Sequence, residues 1–136
     1  MNTAYEQIVL DAIKLNLHNR VKHKKHSKFL YAPEFAHDYC TVRLDIGRRT
    51  GKTSFIAKWA SNNDLVIVHN QHMKHDFKNS AATIYTTYES RNKMNLHNYF
   101  CNIYVDNASL IDNDTIYDLY ISSSHFMFQP TFVLLG

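Results

Sequence analysis

The chain has 136 residues, room for one domain, and its 45% hydrophobic and 13% aromatic content can build one core, which excludes a disordered chain. No run approaches 18 apolar residues, and the N-terminus lacks the basic-then-apolar pattern of a signal peptide, so no membrane partner is expected and the expected location is the cytoplasm. The net charge of +3 hides an asymmetry: residues 1–93 hold all 15 Lys and Arg against eight acids (+7), and residues 94–136 hold four Asp and no Lys or Arg (−4). Such a split suits a side that faces a polyanion, although solubility alone also accounts for a modest excess. Cys40 and Cys101 are far apart and read as reduced, buried thiols.

In chain order, Tyr5, Ile8, Val9, Ala12 and Ile13 recur at helical spacing and predict an amphipathic helix over 5–17, with Thr3 as its N-cap. Residues 18–28 carry His18, Arg20, Lys22, His23, Lys24, Lys25, His26 and Lys28 with no acid, either a solvated loop or a continuation of that helix. Cys40–Ile46 reads as a strand with Val42, Leu44 and Ile46 on one face, and Lys52–Ala60 as a helix. Leu65–Val68 has the apolar run of a buried parallel strand, Gln71–Asn79 is a polar helix or turn, and Thr83–Tyr88 is β-branched and aromatic, hence a strand. Residues 89–100 are a polar connector with some helix, Asn102–Val105 a strand ending at Asp106, Ile111–Ser122 a helix and Thr131–Leu135 a last strand. Strands separated by helical connectors predict an α/β fold with a parallel sheet covered on both faces. The division expected is an N-terminal helix and basic segment, 1–39, followed by a core, 40–136.

The most informative segment is Leu44-Asp45-Ile46-Gly47-Arg48-Arg49-Thr50-Gly51-Lys52-Thr53-Ser54, between a predicted strand and a predicted helix. Backbone N–H groups turned inward at a helix N-terminus make an anion nest. Gly51 permits close approach of phosphate, Lys52 reaches its β and γ groups, and Thr53 offers a hydroxyl to Mg²⁺. Three residues separate the two glycines, where G-x-x-x-x-G-K-[ST] has four, so the first pattern position falls on Ile46. A second element, Asn102-Ile103-Tyr104-Val105-Asp106-Asn107, is an apolar strand ending in an acid 54 residues after Lys52, suited to hold the hydration shell of a metal.

These two elements resemble the Walker A and Walker B motifs of P-loop NTPases. Over most of residues 40–136 the chain looks like the first motor domain of superfamily-2 helicases or the ATPase domain of viral large terminase subunits. Thr83–Ser90 resembles the Thr-Tyr-Glu element between the Walker motifs, Leu65–Asn70 the strand before motif Ia, and Phe132–Gly136 the strand leading into motif III, after which the chain stops as if truncated. The resemblance implies a RecA-like sheet whose last strand lies beside the phosphate-loop strand. It implies ATP or another NTP bound by Gly47, Arg48, Arg49, Thr50, Gly51, Lys52, Thr53 and Ser54, with Mg²⁺ held by Thr53 and Asp106. Arg48 and Arg49 resemble the arginines of terminase loops, either offsetting phosphate charge or serving as an arginine finger in cis. Where that family has Asp-Glu, this chain has Asp106-Asn107, and an amide cannot accept the proton of the attacking water, though Asn107 can still position one.

Nucleic acid, DNA above all, is the expected partner, met by Arg20, Lys22, Lys24, Lys25 and Lys28. A second copy or a partner subunit would complete the site. Asn- and Tyr-rich usage fits a viral, AT-rich genome, and in that case the host cytoplasm. Three readings stay open: a motor-type ATPase, a nucleotide-binding regulatory or assembly module with little hydrolysis, and a basic nucleic-acid-binding protein with a vestigial P-loop. His69, His72 and His75 lack the fourth ligand of a zinc site. Trp59 is expected behind the phosphate loop, and the tyrosines at 85, 88, 99, 104, 117 and 120 mostly in the core.

Overall fold

Leu65–Val68 and Thr131–Leu135 are apolar at nearly every position, and in the computed structural model both are strands with every residue buried. The structure describes residues 3–28, 30–47 and 51–136. Its elements are α1 (Thr3–Lys22), a 3₁₀ turn (Lys24–Lys28), α2 (Ala32–Tyr39), β1 (Thr41–Leu44), α3 (Lys52–Trp59), β2 (Leu65–Val68), a 3₁₀ segment (Gln71–Phe77), β3 (Thr83–Thr86), α4 (Thr87–Lys93), β4 (Asn102–Asp106), α5 (Asn113–Ser122) and β5 (Thr131–Leu135), with 3₁₀ turns at Met94–Leu96 and Ala108–Leu110.

All strand pairs are parallel and the order is β1-β5-β4-β2-β3, so the last strand in sequence lies beside β1, as expected. Alternation splits each buried strand between two cores. Leu65, Ile67, Ile103, Val105, Phe132 and Leu134 face α2, α4 and α5, where Ala36, Met94, Ile116, Leu119 and Tyr120 meet them. Val66, Val68, Tyr104, Val133 and Leu135 face α1 and α3, against Tyr5, Val9, Phe55 and Ile56. A sheet covered on both faces explains why β2 and β5 read as continuous apolar runs rather than alternating ones.

Several boundaries differ from the expectation, each for a local reason. Thr86 and Glu89 form a reciprocal capping box, Thr86 Oγ1 accepting from the Glu89 N–H and Glu89 Oε1 from the Thr86 N–H, both at 3.1 Å. It ends β3 at Thr86 and puts Tyr88 in α4, 75% exposed, rather than in a strand. Residues 32–39, not predicted as a helix, form α2, with a proline in its first turn and Glu34 beside it. β1 stops at Leu44, so Val42 and Leu44 share the α3 face while Ile46 lies beyond the strand and is 49% exposed. Thr3 is the first described residue of α1 rather than its cap. α5 starts at Asn113, where the Asp112 side chain caps the Thr115 N–H at 2.7 Å.

At the amino end of the sheet, Asp64 is 2% exposed and ties two strands together. It accepts from the backbone N–H of Ser61 (2.8 Å) and of Asn102 (3.0 Å), and from the Asn102 side-chain amide (3.1 Å). Removing it leaves these part-buried donors without their acceptor. Asp64→Ala is therefore expected to destabilise the protein by about 2–4 kcal/mol, read as a lower urea midpoint with an unchanged slope.

Candidate functional site

Strands β1 and β2 send the chain onto the α3 face and β4 sends it onto the α5 face, so the connections part at the carboxyl ends of the strands beside Asp106, the position at which open parallel sheets bind ligands. Leu44 of β1, Leu135 of β5 and Asp106 of β4 are paired in one row across the sheet. Asp106 has the parity of Tyr104 and so points toward α3. There Thr53, the second residue of α3, shares its hydroxyl proton between the two carboxylate oxygens, 3.1 Å from each.

Asp106 is 1% exposed. Burial pushes its pKa above the ordinary aspartate value. The Thr53 hydrogen bond, the charge of Lys52 and the Asn107 backbone N–H pull the other way, and the charge of Asp76 adds to the rise.

The loop before α3 depends on backbone conformations that suit glycine. Gly47 has φ 114° and Gly51 φ 95°, both in the left-handed region. Gly51 is the N-cap residue of α3, and its carbonyl accepts from the Phe55 N–H at 2.8 Å. Among the described residues no side chain caps this helix and its first turn carries no acid, so the N–H groups of that turn and the positive end of the helix dipole face the loop. Lys52 and Thr53 are half-buried and Ser54 is exposed. The remaining loop positions expected to bind phosphate, Arg48, Arg49 and Thr50, lie outside the described residues.

Asn107 follows Asp106 directly, with φ 53° and ψ 47°. It is the single non-glycine residue at positive φ among the described residues, a conformation Asn tolerates better than most. It starts the turn Ala108–Leu110, its carbonyl accepting from the Leu110 N–H at 2.9 Å.

Two carboxylates near this end carry roles that the sequence did not reveal. Asp76, in the 3₁₀ segment, acts on Asp106 through space. Glu89, beyond capping α4, pairs with Lys74, accepts from Gln71 Nε2 (3.2 Å) and meets Lys93 Nζ (3.2 Å). Its pKa is lowered to about 2, first by the Lys74 contact. Glu89 thus fastens the Gln71–Phe77 segment to β3. The T-x-x-E spacing of Thr86 and Glu89 was a legible signal of the cap, whereas nothing in the spacing of Asp76 marks it.

The cations of the basic segment are not part of this constellation. Arg20 donates to the Pro130 carbonyl at 3.4 Å, at the amino end of β5, and Lys22, Lys24, Lys25 and Lys28 are exposed on the same segment. Cys101 is exposed, its Sγ 3.2 Å from the Tyr99 hydroxyl, so only Cys40 is the buried thiol expected. Trp59 is 41% exposed and donates from Nε1 to Glu6 at 2.9 Å, joining α3 to α1 rather than filling the core. Of the tyrosines, Tyr104 and Tyr120 are core residues, Tyr85 is half-buried, and Tyr99 and Tyr117 are each 37% exposed. Among the described residues, no three His, Cys, Asp or Glu side chains are grouped to hold a metal by themselves. No described helix is long and apolar enough to cross a membrane.

No known protein family matches the chain, and neither the curated proteins nor the solved structures hold a match to it. What the fold defines is an α/β protein whose five-stranded parallel sheet has helices on both faces.

The raised pKa of Asp106 fixes the sign of its effect on stability. The folded chain holds the proton more tightly than the unfolded chain, so this group favours folding below the unfolded pKa and loses that contribution as pH rises through the folded one. Above that folded pKa the ionised, buried carboxylate is a burden. Asp106→Asn removes the charge and keeps an acceptor for Thr53. Its urea midpoint is expected to equal or exceed wild type at pH 7, with the difference shrinking toward pH 4; a midpoint below wild type at pH 7 contradicts this reading.

Proposed function

We propose that the chain binds ATP or another nucleoside triphosphate with Mg²⁺ at the Gly47–Thr53 loop, as a helicase- or terminase-type domain that acts on nucleic acid. The observation that carries this reading is the buried Asp106 carboxylate held on Thr53 at the open N-terminus of α3. Asp106 is 1% exposed, and beside the Thr53 hydroxyl, the charge of Lys52 and the Asn107 backbone N–H, a bound cation would offset its buried charge further.

The donor set fits Mg²⁺, which takes hard oxygen ligands and is commonly held by one or two protein groups together with phosphate and water. Thr53 and Asp106 would hold it, and when bound it would neutralise charge on the β and γ phosphates. Gly51 leaves the backbone free to approach phosphate, the first-turn N–H groups of α3 face the anion, and Lys52 supplies a cationic donor. Arg48 and Arg49 add positive charge in the same loop.

Lys52→Ala is expected to weaken triphosphate binding at least tenfold, since a charge-assisted contact to phosphate is lost, while the unfolding free energy in urea stays within about 0.5 kcal/mol of wild type. Calorimetry with Mg²⁺-ATP and Mg²⁺-GTP checks it. Unchanged affinity for both would sink the assignment.

A binding module with little turnover is favoured by one observation. Asn107 stands beside Asp106 in a left-handed conformation, and its amide cannot accept a proton. Steady-state phosphate release by the natural chain should be slow, and Asn107→Glu should raise it by less than the ~10²–10⁴-fold usual for general-base assistance. The same substitution should cost about 1 kcal/mol of stability, because glutamate fits that backbone less well. Brisk release by the natural chain removes this second reading.

A further inference from the structure

At the end of the sheet opposite Asp106, two adjoining depressions of about 450 and 460 Å³ share Arg20, Phe128 and Gln129 and form one groove. Leu17 of α1 and Lys24 of the basic segment stand on one wall and Tyr99 on the other. Phe128 is 62% exposed, and its ring meets Tyr99 edge-on with centroids 5.7 Å apart. An exposed phenylalanine beside a half-exposed tyrosine forgoes the stabilisation that burial would bring.

The cations alongside are equally unspent. Among the described residues, none of Lys22, Lys24, Lys25 and Lys28 has an ion-pair partner, and no acid occurs between residues 12 and 33 or after Asp118. The segment is nevertheless held in place. His26 stacks on Tyr39 at 5.3 Å and 15°, and Arg20 is anchored on the Pro130 carbonyl.

We infer that this groove binds single-stranded nucleic acid, with Phe128 and Tyr99 stacking on bases and Arg20, Lys24 and their neighbours meeting the phosphates. Cations alone suit any polyanion, but open aromatic faces suit one whose bases are unpaired. A duplex keeps its bases stacked inside, and an acidic peptide offers nothing planar to the rings. Gln129, exposed and shared by both depressions, donates from Nε2 to the Pro130 carbonyl at 3.1 Å, and its amide oxygen is the acceptor it offers to base edges. The inference rests on the nucleic-acid reading of the basic segment and is independent of the phosphate loop.

The test is fluorescence anisotropy of the intact chain, without nucleotide, against a labelled oligothymidylate of about twenty nucleotides, a duplex of the same length and a polyglutamate peptide. The oligothymidylate should bind best, and log K should fall against log salt with a slope of about −3, for four or five neutralised phosphates. Phe128→Ala should weaken binding about 5- to 150-fold, the range for losing one stacked base, and Lys24→Gln should make the salt slope shallower. Lys52→Ala should bind the oligothymidylate as wild type does. Wild-type affinity in Phe128→Ala, or duplex or polyglutamate binding as tight as the single strand, overturns the inference. A chain that binds the single strand and no nucleotide sinks the phosphate-loop reading alone, and the reverse result sinks this one alone.

Discussion

The buried carboxylate of Asp106 is the constraint around which the carboxyl end of the sheet is organised. A charge in that position is tolerable only with donors within reach, and Thr53 supplies its hydroxyl at 3.1 Å beside the Asn107 backbone N–H. To bring Thr53 there, α3 must begin close over the row Leu44–Leu135–Asp106, and the chain must leave β1 and turn back within a few residues. Gly47 and Gly51, both at positive φ, allow that turn. Phe55 and Ile56 one turn further on then fall into the core against Tyr104 and Val133, fixing the axis of the helix. A polar contact, a loop conformation and an apolar core thus require one another.

Legibility in the sequence followed the number of signals per residue. β2 and β5 were found to the residue because strands buried on both faces have no polar position to blur their ends. Thr53 and Asp106 are joined in the sequence only by the resemblance of their segments to the Walker motifs, and the structure sets the hydroxyl 3.1 Å from the carboxylate. β3 was overextended because Thr87 and Tyr88 have strand propensity, and the capping box, worth about 1 kcal/mol, outweighed it. α2 was missed because eight residues with one proline carry too little periodicity. The exposure of Cys101 and Trp59 was illegible because it depends on which distant segment covers them.

The parallel arrangement gives the molecule two chemically distinct ends. The carboxyl ends of the strands gather Asp106, Asn107, Glu89 and the open turn of α3. The amino ends gather Arg20, Phe128, Tyr99 and the buried clamp of Asp64. Since every strand runs between them, a shift along β4 moves Asn102 at one end and Asp106 at the other by the same amount. Asp64 holds the backbone of Asn102 and Thr53 holds the carboxylate of Asp106, so β4 is fixed at both termini.

One margin of the sheet carries its own defence against self-association. Among the described residues β1 pairs only with β5, which leaves its other side without a strand partner, a template on which a foreign strand could grow. The margin is short, four residues, and Arg43 stands in its middle, ion-paired to Asp45 at 3.2 Å. A strand adding there would have to strip water from that pair without replacing it. The guanidinium therefore acts as a gatekeeper, a charge placed on the open border of the sheet where a foreign strand would otherwise add.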